Sequence, residues 1–440
     1  MRTNKKVLAA VTATAAVSML LAGCSGGGGS NPSTSAGGSD VTLTYWASNQ
    51  GSSLANDKEV LTPVLKQFTD QTGVKVDLQV IGWNDLQTKI ETAITSGQGP
   101  DVVNIGNTWG TSFQSSGAFV EFDSKNAAAI GGLDKFVKTA LDAGGAPGAT
   151  PTSVPLYGLA YGLYYNKALF QKAGLQPPTT WEELVSDGQK LTHGSQWGLT
   201  LAAASYTENI HFAFLTAAQN GGAFYDASGK PTFDTPKNVA GLQRYLALMQ
   251  TDKIVNPSNA QYDSDAQPSS DFAAGKAAMF LSQNNADTTL KADGMKVGDW
   301  GVVALPAPAN AAAQISTFPA GINLSIFKYT KHLPQALEFV KFMTSSAVQT
   351  ELAVPYSTLP VLQGAKATYT TDAAEAAAFM DAYQNHSKPL PQVASEANFE
   401  STIGKGLSNL FAQIATGKTV SATDISTMLK SAQQQVEAAG

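Results

Sequence analysis

From residue 41 onward, apolar and polar positions follow regular rhythms. Residues 41–46, VTLTYW, alternate with the period of two that a half-buried strand needs. Val60, Leu61, Val64, Leu65 and Phe68 then share one face of a helix predicted over 58–69, which Gly73 ends. Residues 74–81, VKVDLQVI, alternate again and predict a second strand. Asn84, with Gln87 three residues on, is the expected cap of the next helix, and Gly97 its close. Residues 101–106 read as a third strand. Strand, helix, strand, helix, strand at this spacing predicts an α/β lobe with a largely parallel sheet.

Helices dominate the middle and the end. Thr180 with Glu183 forms a capping box, Thr235 precedes a first-turn proline at Pro236, and Pro334 opens a helix through Met343. Strand candidates lie between them at 162–166, 197–201, 277–282 and 300–305. A strand-rich stretch inside a helical region predicts that the chain crosses between two lobes more than once.

The front of the chain follows different rules. Arg2, Lys5 and Lys6 precede the small and apolar residues 7–21. That stretch is too short to span a bilayer but suits the core of a secretory signal. Residues 21–24, LAGC, resemble a bacterial lipobox, which implies cleavage after residue 23 and lipid on Cys24. Residues 25–39 are almost entirely Gly, Ser, Thr, Asn and Pro, so 24–40 is expected to be a flexible tether. The expected product is an exported protein, anchored at the outer face of the cell membrane or in a periplasm.

Composition narrows the function classes. Only 14% of the 440 residues are charged. Without the first 23 residues, 25 basic side chains face 34 acidic ones, and Arg244 is the one arginine left. Nucleic acid is thereby disfavoured, as are phosphate and carboxylate ligands that favour an arginine fork. A single cysteine excludes a disulfide framework, and with four histidines it leaves little for a structural zinc site. Neither a metal nor a cofactor is expected.

Catalytic motifs are missing. There is no G-x-S-x-G, H-E-x-x-H or strand-linked G-x-G-x-x-G. Gly417-Lys418-Thr419 resembles the end of a phosphate loop, but Ala412 stands where its first glycine belongs. Asp263, Asp265 and Asp271 hint at a calcium loop, yet Pro268 and Ala274 occupy its turn and final ligand positions. A polar loop capping a helix at Asp271 is expected instead. A glycosidase carboxylate pair stays open, because such residues are distant in sequence.

Six segments in order resemble the bacterial extracellular solute-binding proteins of ABC importers, in the carbohydrate-binding group. They are SGQGPDVV at 96–103, YYNK at 164–167 with AGLQPPTTWEEL at 173–184, FAAGKAAMF at 272–280, ALP at 304–306, PAGIN at 319–323 and STLPV at 357–361. The resemblance implies a two-lobed, type II periplasmic-binding-protein-like α/β fold, with ligand held as the lobes close. The expected lobes are 41–155 with 305–353, and 156–304 with 354–440. It also implies a separate membrane permease as partner, a mono- or oligosaccharide as ligand, a monomer and no catalysis.

Neutral polyols need amide, hydroxyl and carboxylate partners and aromatic faces. Ser48, Asn49 and Gln50 after the first strand supply such groups, as do Asn107 and Trp109 after the third. Trp109 and Trp83 are each candidate stacking platforms, with packing inside the lobe as the alternative. From the family pattern, the second lobe is expected to contribute Tyr161, Asn209 and His211, then Gln283, Asn284 and Asn285, and also Glu396 and Phe399, and Phe318 is a further candidate. His211 could instead be bonded within its own lobe. In maltose-binding members a tryptophan stands where this chain has its Gln283–Asn285 run, so the ligand class transfers and the particular sugar does not. A secreted glycan-degrading enzyme is one alternative; polyol or ferric-iron binding in the same fold is another, the latter suggested by Tyr164-Tyr165.

Overall fold

A computed structural model describes residues 41–439; the signal segment, Cys24 and the tether lie outside the described residues. The described residues fall in one compact unit. Among the described residues, nine strands form two sheets. The first contains β1 (Thr42–Ser48), β2 (Lys75–Ile81), β3 (Val102–Gly106), β4 (Ser153–Leu159) and β9 (Ala320–Ile326), in the order β2-β1-β3-β9-β4. The second contains β5 (Tyr161–Asn166), β6 (Trp197–Thr200), β7 (Ala277–Gln283) and β8 (Trp300–Val303), in the order β6-β7-β5-β8.

In the first sheet β1 runs parallel to β2 and β3, as expected, but β9 lies antiparallel between β3 and β4. Sequence reading had no strand at β4 or β9. Every residue of both is buried, so they lack the polar alternation that marks a one-sided strand.

Several helix limits follow from caps. The first helix runs Leu54–Thr72, starting earlier than expected because the Ser53 hydroxyl accepts from the Asn56 N–H. Gly73 and Gly97 both take the left-handed conformation that ends a helix. The expected cap at Asn84 is corrected: the helix is Trp83–Ser96, its N-cap is Gly82, and Asn84 sits inside the first turn. Gln87 makes no capping box; its amide donates to the Ala397 carbonyl and accepts from the Tyr206 hydroxyl. Asp271 likewise lies inside the helix Ala266–Ala273 rather than capping one. The capping box at Thr180 is present.

The chain passes between the sheets three times. β4 stays in the first sheet through Leu159, beyond the boundary expected at 155, and only Ala160 separates it from β5 in the second. β8 returns to β9 through residues 304–319. The helix Ser346–Tyr356 ends at Ser357 with φ 46°, after which Leu359 pairs with Gly158 of β4. At this junction Asn284 ties two passages together. Its Oδ1 accepts from the Ala160 N–H at 2.7 Å, and its amide donates to the Ser357 carbonyl.

Candidate functional site

A cavity of about 310 Å³ lies between the two sheets. Its first wall comes from the loops after β1 and β3, beyond the carboxyl ends of parallel strands, where open α/β sheets bind ligands. Asp57, fully buried at the start of the first helix, shapes the earlier loop. It accepts from the Asn49 amide, from the Gln50 N–H and from the Gly51 N–H at 2.8 Å. Burial pushes Asp57 above the ordinary carboxylate range, and these donors oppose the shift. Trp83 completes the loop, its indole N–H reaching the Asn49 carbonyl at 2.7 Å.

Trp83 and Trp109 meet edge to face, with centroids 5.7 Å apart. Trp109 also packs on Phe113 and is 1% exposed, so packing within the lobe is its main role, although it borders the cavity. Trp83 is only partly buried and is the better placed platform. Gln50 is 3% exposed, and neither end of its side-chain amide has a partner.

The opposite wall is acidic. The Tyr161 hydroxyl donates to Glu208 Oε1 at 2.9 Å and lies 2.7 Å from His211 Nδ1. The other imidazole nitrogen faces Glu400 at 3.4 Å, and Phe318 packs against the His211 ring. Glu400 Oε2 accepts from the Trp109 indole at 2.6 Å, joining the two walls. Burial pushes Glu400 upward, but the bonds and charge of His211, with Glu396 and Trp109, hold it below the usual range. Gly404, one turn on, lets the helices Glu396–Ala415 and Tyr206–Gln219 approach, because a Cβ there would fall 2.0 Å from the Tyr206 carbonyl oxygen.

Glu208 and Asp265 complete this wall. Burial and the charge of Asp265 hold Glu208 well above the ordinary range, and burial pushes Asp265 up to about 6. Ser282 donates to one oxygen of Asp265, while Asp265 Oδ1 and Glu208 Oε2 have no partner. Among the described residues, no lysine or arginine lines the cavity.

Ten of the expected residues border this space: Asn49, Gln50, Trp83, Asn107 and Trp109 from the first sheet's side, then Tyr161, His211, Gln283, Asn285 and Phe318. Five do not, and these are corrections. Ser48 is buried at the end of β1 and accepts from the Asn104 amide. Asn209 is consumed by the Ala203 carbonyl and the Ser408 and Tyr245 hydroxyls. Asn284 binds the strand junction described above. Phe399 packs among Phe224, Tyr225 and Phe233. Glu396 is fully buried beside Glu400, which presses its carboxyl toward the neutral form after burial itself.

Sequence reading missed Glu208, Asp265 and Glu400. Glu208 lies three residues before His211 on one helix face, and Glu400 one turn after the expected Glu396, so helical spacing from those residues could have found both. Asp265 was noticed only as part of a failed calcium loop.

Residues 51–350 match the family described as bacterial extracellular solute-binding protein. A putative binding protein of Brucella abortus is 25% identical over 321 residues, covering 72% of this chain and 76% of that protein. The diacetylchitobiose binding protein DasA of Streptomyces coelicolor is 24% identical over 363 residues, covering 81% and 82%. In fold, the chain is similar to an ABC transporter solute-binding protein of Thermotoga lettingae bound with alpha-D-tagatose. The TM-score is 0.77 at 20% identity, covering 90% of this chain and 100% of that one. Two sheets flanking one cleft are the architecture of these two-lobed proteins, and this chain belongs to the bacterial extracellular solute-binding family, whose members are exported.

Proposed function

We propose that this protein captures a mono- or oligosaccharide in the cleft and delivers it to the permease of an ABC importer, without transforming it. The observation that carries this reading is the lining: a partly exposed tryptophan and unpartnered amide and carboxylate atoms around a space that, among the described residues, no lysine or arginine lines. Aromatic faces suit the C–H faces of a sugar, and acceptors and amides suit its hydroxyls. Relatives that bind sugars support the same class. Ligand touching both walls favours the closed form, which a permease can recognise as the loaded state. The lobes on this reading are residues 41–159 with 320–356, and 161–303 with 358–439, acting as a monomer.

A thermal-shift screen of the chain from Gly38 onward against saccharides, polyols and ferric citrate tests it. A bound saccharide at a hundredfold excess over its Kd adds about 2.7 kcal/mol of apparent stability. One saccharide series is expected to raise the Tm and to be recovered unchanged. A shift only with ferric citrate, or a cleaved sugar, would reject the reading.

The lipobox adds that Cys24 carries the membrane anchor. Acyl chains contribute about 0.8 kcal/mol per buried CH₂. Cys24→Ala is therefore expected to move the protein from the membrane fraction to the medium or periplasm; retention on the membrane would discard the anchor.

A further inference from the structure

The cavity lining holds five carboxylates, Asp85, Glu208, Asp263, Asp265 and Glu400, against no lysine or arginine among the described residues. They are not equivalent. Asp85 and Asp263 are exposed to water, which screens them. Glu400 is engaged by Trp109 and faces His211. Glu208 and Asp265 each have one oxygen fixed by a hydroxyl of their own wall, from Tyr161 and Ser282, and a second that is out of water and without a partner. From the facing wall, Gln50 brings an independent mark of a ligand: a side chain 3% exposed, lining the same cavity, with both amide atoms unpartnered.

We infer that the saccharide taken by this cleft carries a protonated amine, as in an unacetylated amino sugar, whose ammonium docks between Glu208 and Asp265. The inference rests on the saccharide reading above and narrows its ligand class. A sugar hydroxyl can donate to either free oxygen, but it brings no positive charge to two carboxylates that line one cavity with no lysine or arginine among the described residues. An ammonium has three donors and a full positive charge. It satisfies both free oxygens with charge-assisted bonds and removes the repulsion. Gln50 remains for a neighbouring hydroxyl, since its amide both donates and accepts. The other titratable groups around the pair are Tyr161, Tyr245, His211 and Glu400. His211, the one of these that can carry positive charge, lies against Tyr161 and Glu400 and leaves the pair uncompensated.

The test is calorimetric titration of the chain from Gly38 onward with matched probes. These are the 2-amino-2-deoxy sugars of gluco, galacto and manno configuration and their disaccharides, each beside its N-acetyl and parent hydroxyl forms. At least one amine is expected to bind tenfold or more tighter than both of its partners. The double variant Glu208→Gln, Asp265→Asn is expected to erase that preference, leaving the amine and its parent sugar within about threefold of each other, its folding checked by thermal melting. Titration at pH 6 in buffers of differing ionisation enthalpy is expected to show about one proton released with the amine and none with the parent sugar. If a parent or N-acetyl sugar binds as tightly as its amine, the inference fails and the saccharide reading stands. If every sugar is silent, both fail; binding of 1,4-diaminobutane alone would also end both.

Discussion

The two walls of the cleft are built on different terms. The wall from the first sheet is finished before ligand arrives except at the Gln50 amide: Asp57 gathers the loop amides, Trp83 clamps the Asn49 carbonyl, and Trp109 locks against Trp83 and Phe113. The wall from the second sheet keeps its valences open, with unpartnered oxygens on Glu208 and Asp265. One wall supplies shape at little reorganisation on binding, whereas the other supplies acceptors whose satisfaction is deferred to the ligand. The difference teaches where affinity and selectivity separate: aromatic faces set the class of ligand, and the acidic wall sets its hydrogen-bonding and charge.

The largest break in this contrast is Trp109→Ala. It removes a fully packed ring and leaves the buried Glu400 carboxylate without its indole donor. The expected loss is about 3–5 kcal/mol of unfolding free energy, read by urea denaturation. Trp109→Phe, which keeps most of the packing, is expected to lose less than half as much. A Trp109→Ala protein of unchanged stability would mean that the first wall is not prebuilt.

A smaller effect sharpens the second wall. Glu208 and Asp265 are raised in the folded protein, so the folded state binds more protons than the unfolded chain at intermediate pH. Their contribution is fully present below the ordinary carboxylate value near 4. It declines as pH rises through about 6 for Asp265, and the raised Glu208 acts in the same direction. Glu375, pushed up to about 8 by burial and by Asp287, acts in the same direction from outside the cavity lining. The Tm without ligand is therefore expected to fall between pH 5 and 8, and the Glu208→Gln, Asp265→Asn double variant to fall less steeply. Equal slopes would show that the acidic wall is not under charge strain.

Legibility in the sequence follows the same division. The first wall could be read because alternating strands announce their own ends, and Asn49, Gln50, Asn107 and Trp109 follow two of them. The start of the second helix was misread because Gly82 caps with its backbone alone, while Asn84 and Gln87 imitate a capping box. β4 and β9 were invisible as strands because both faces are buried. On the second wall, Tyr161, His211, Gln283 and Asn285 are reached through the family pattern, which also brings Asn209, Asn284, Glu396 and Phe399, whose side chains are buried outside the cavity lining. Glu208 and Glu400 are marked only by their helical spacing from His211 and Glu396, since an acidic residue on a helix looks like any solvated face until tertiary packing covers it.

The most direct measurement is a crystal structure of the chain with the tightest saccharide from the screen. The account predicts a sugar ring within about 4 Å of Trp83, its polar groups on the Gln50 amide and on the free oxygens of Glu208 and Asp265, and its glycosidic bonds intact. A sugar lodged outside the cavity, or found cleaved within it, would contradict the account.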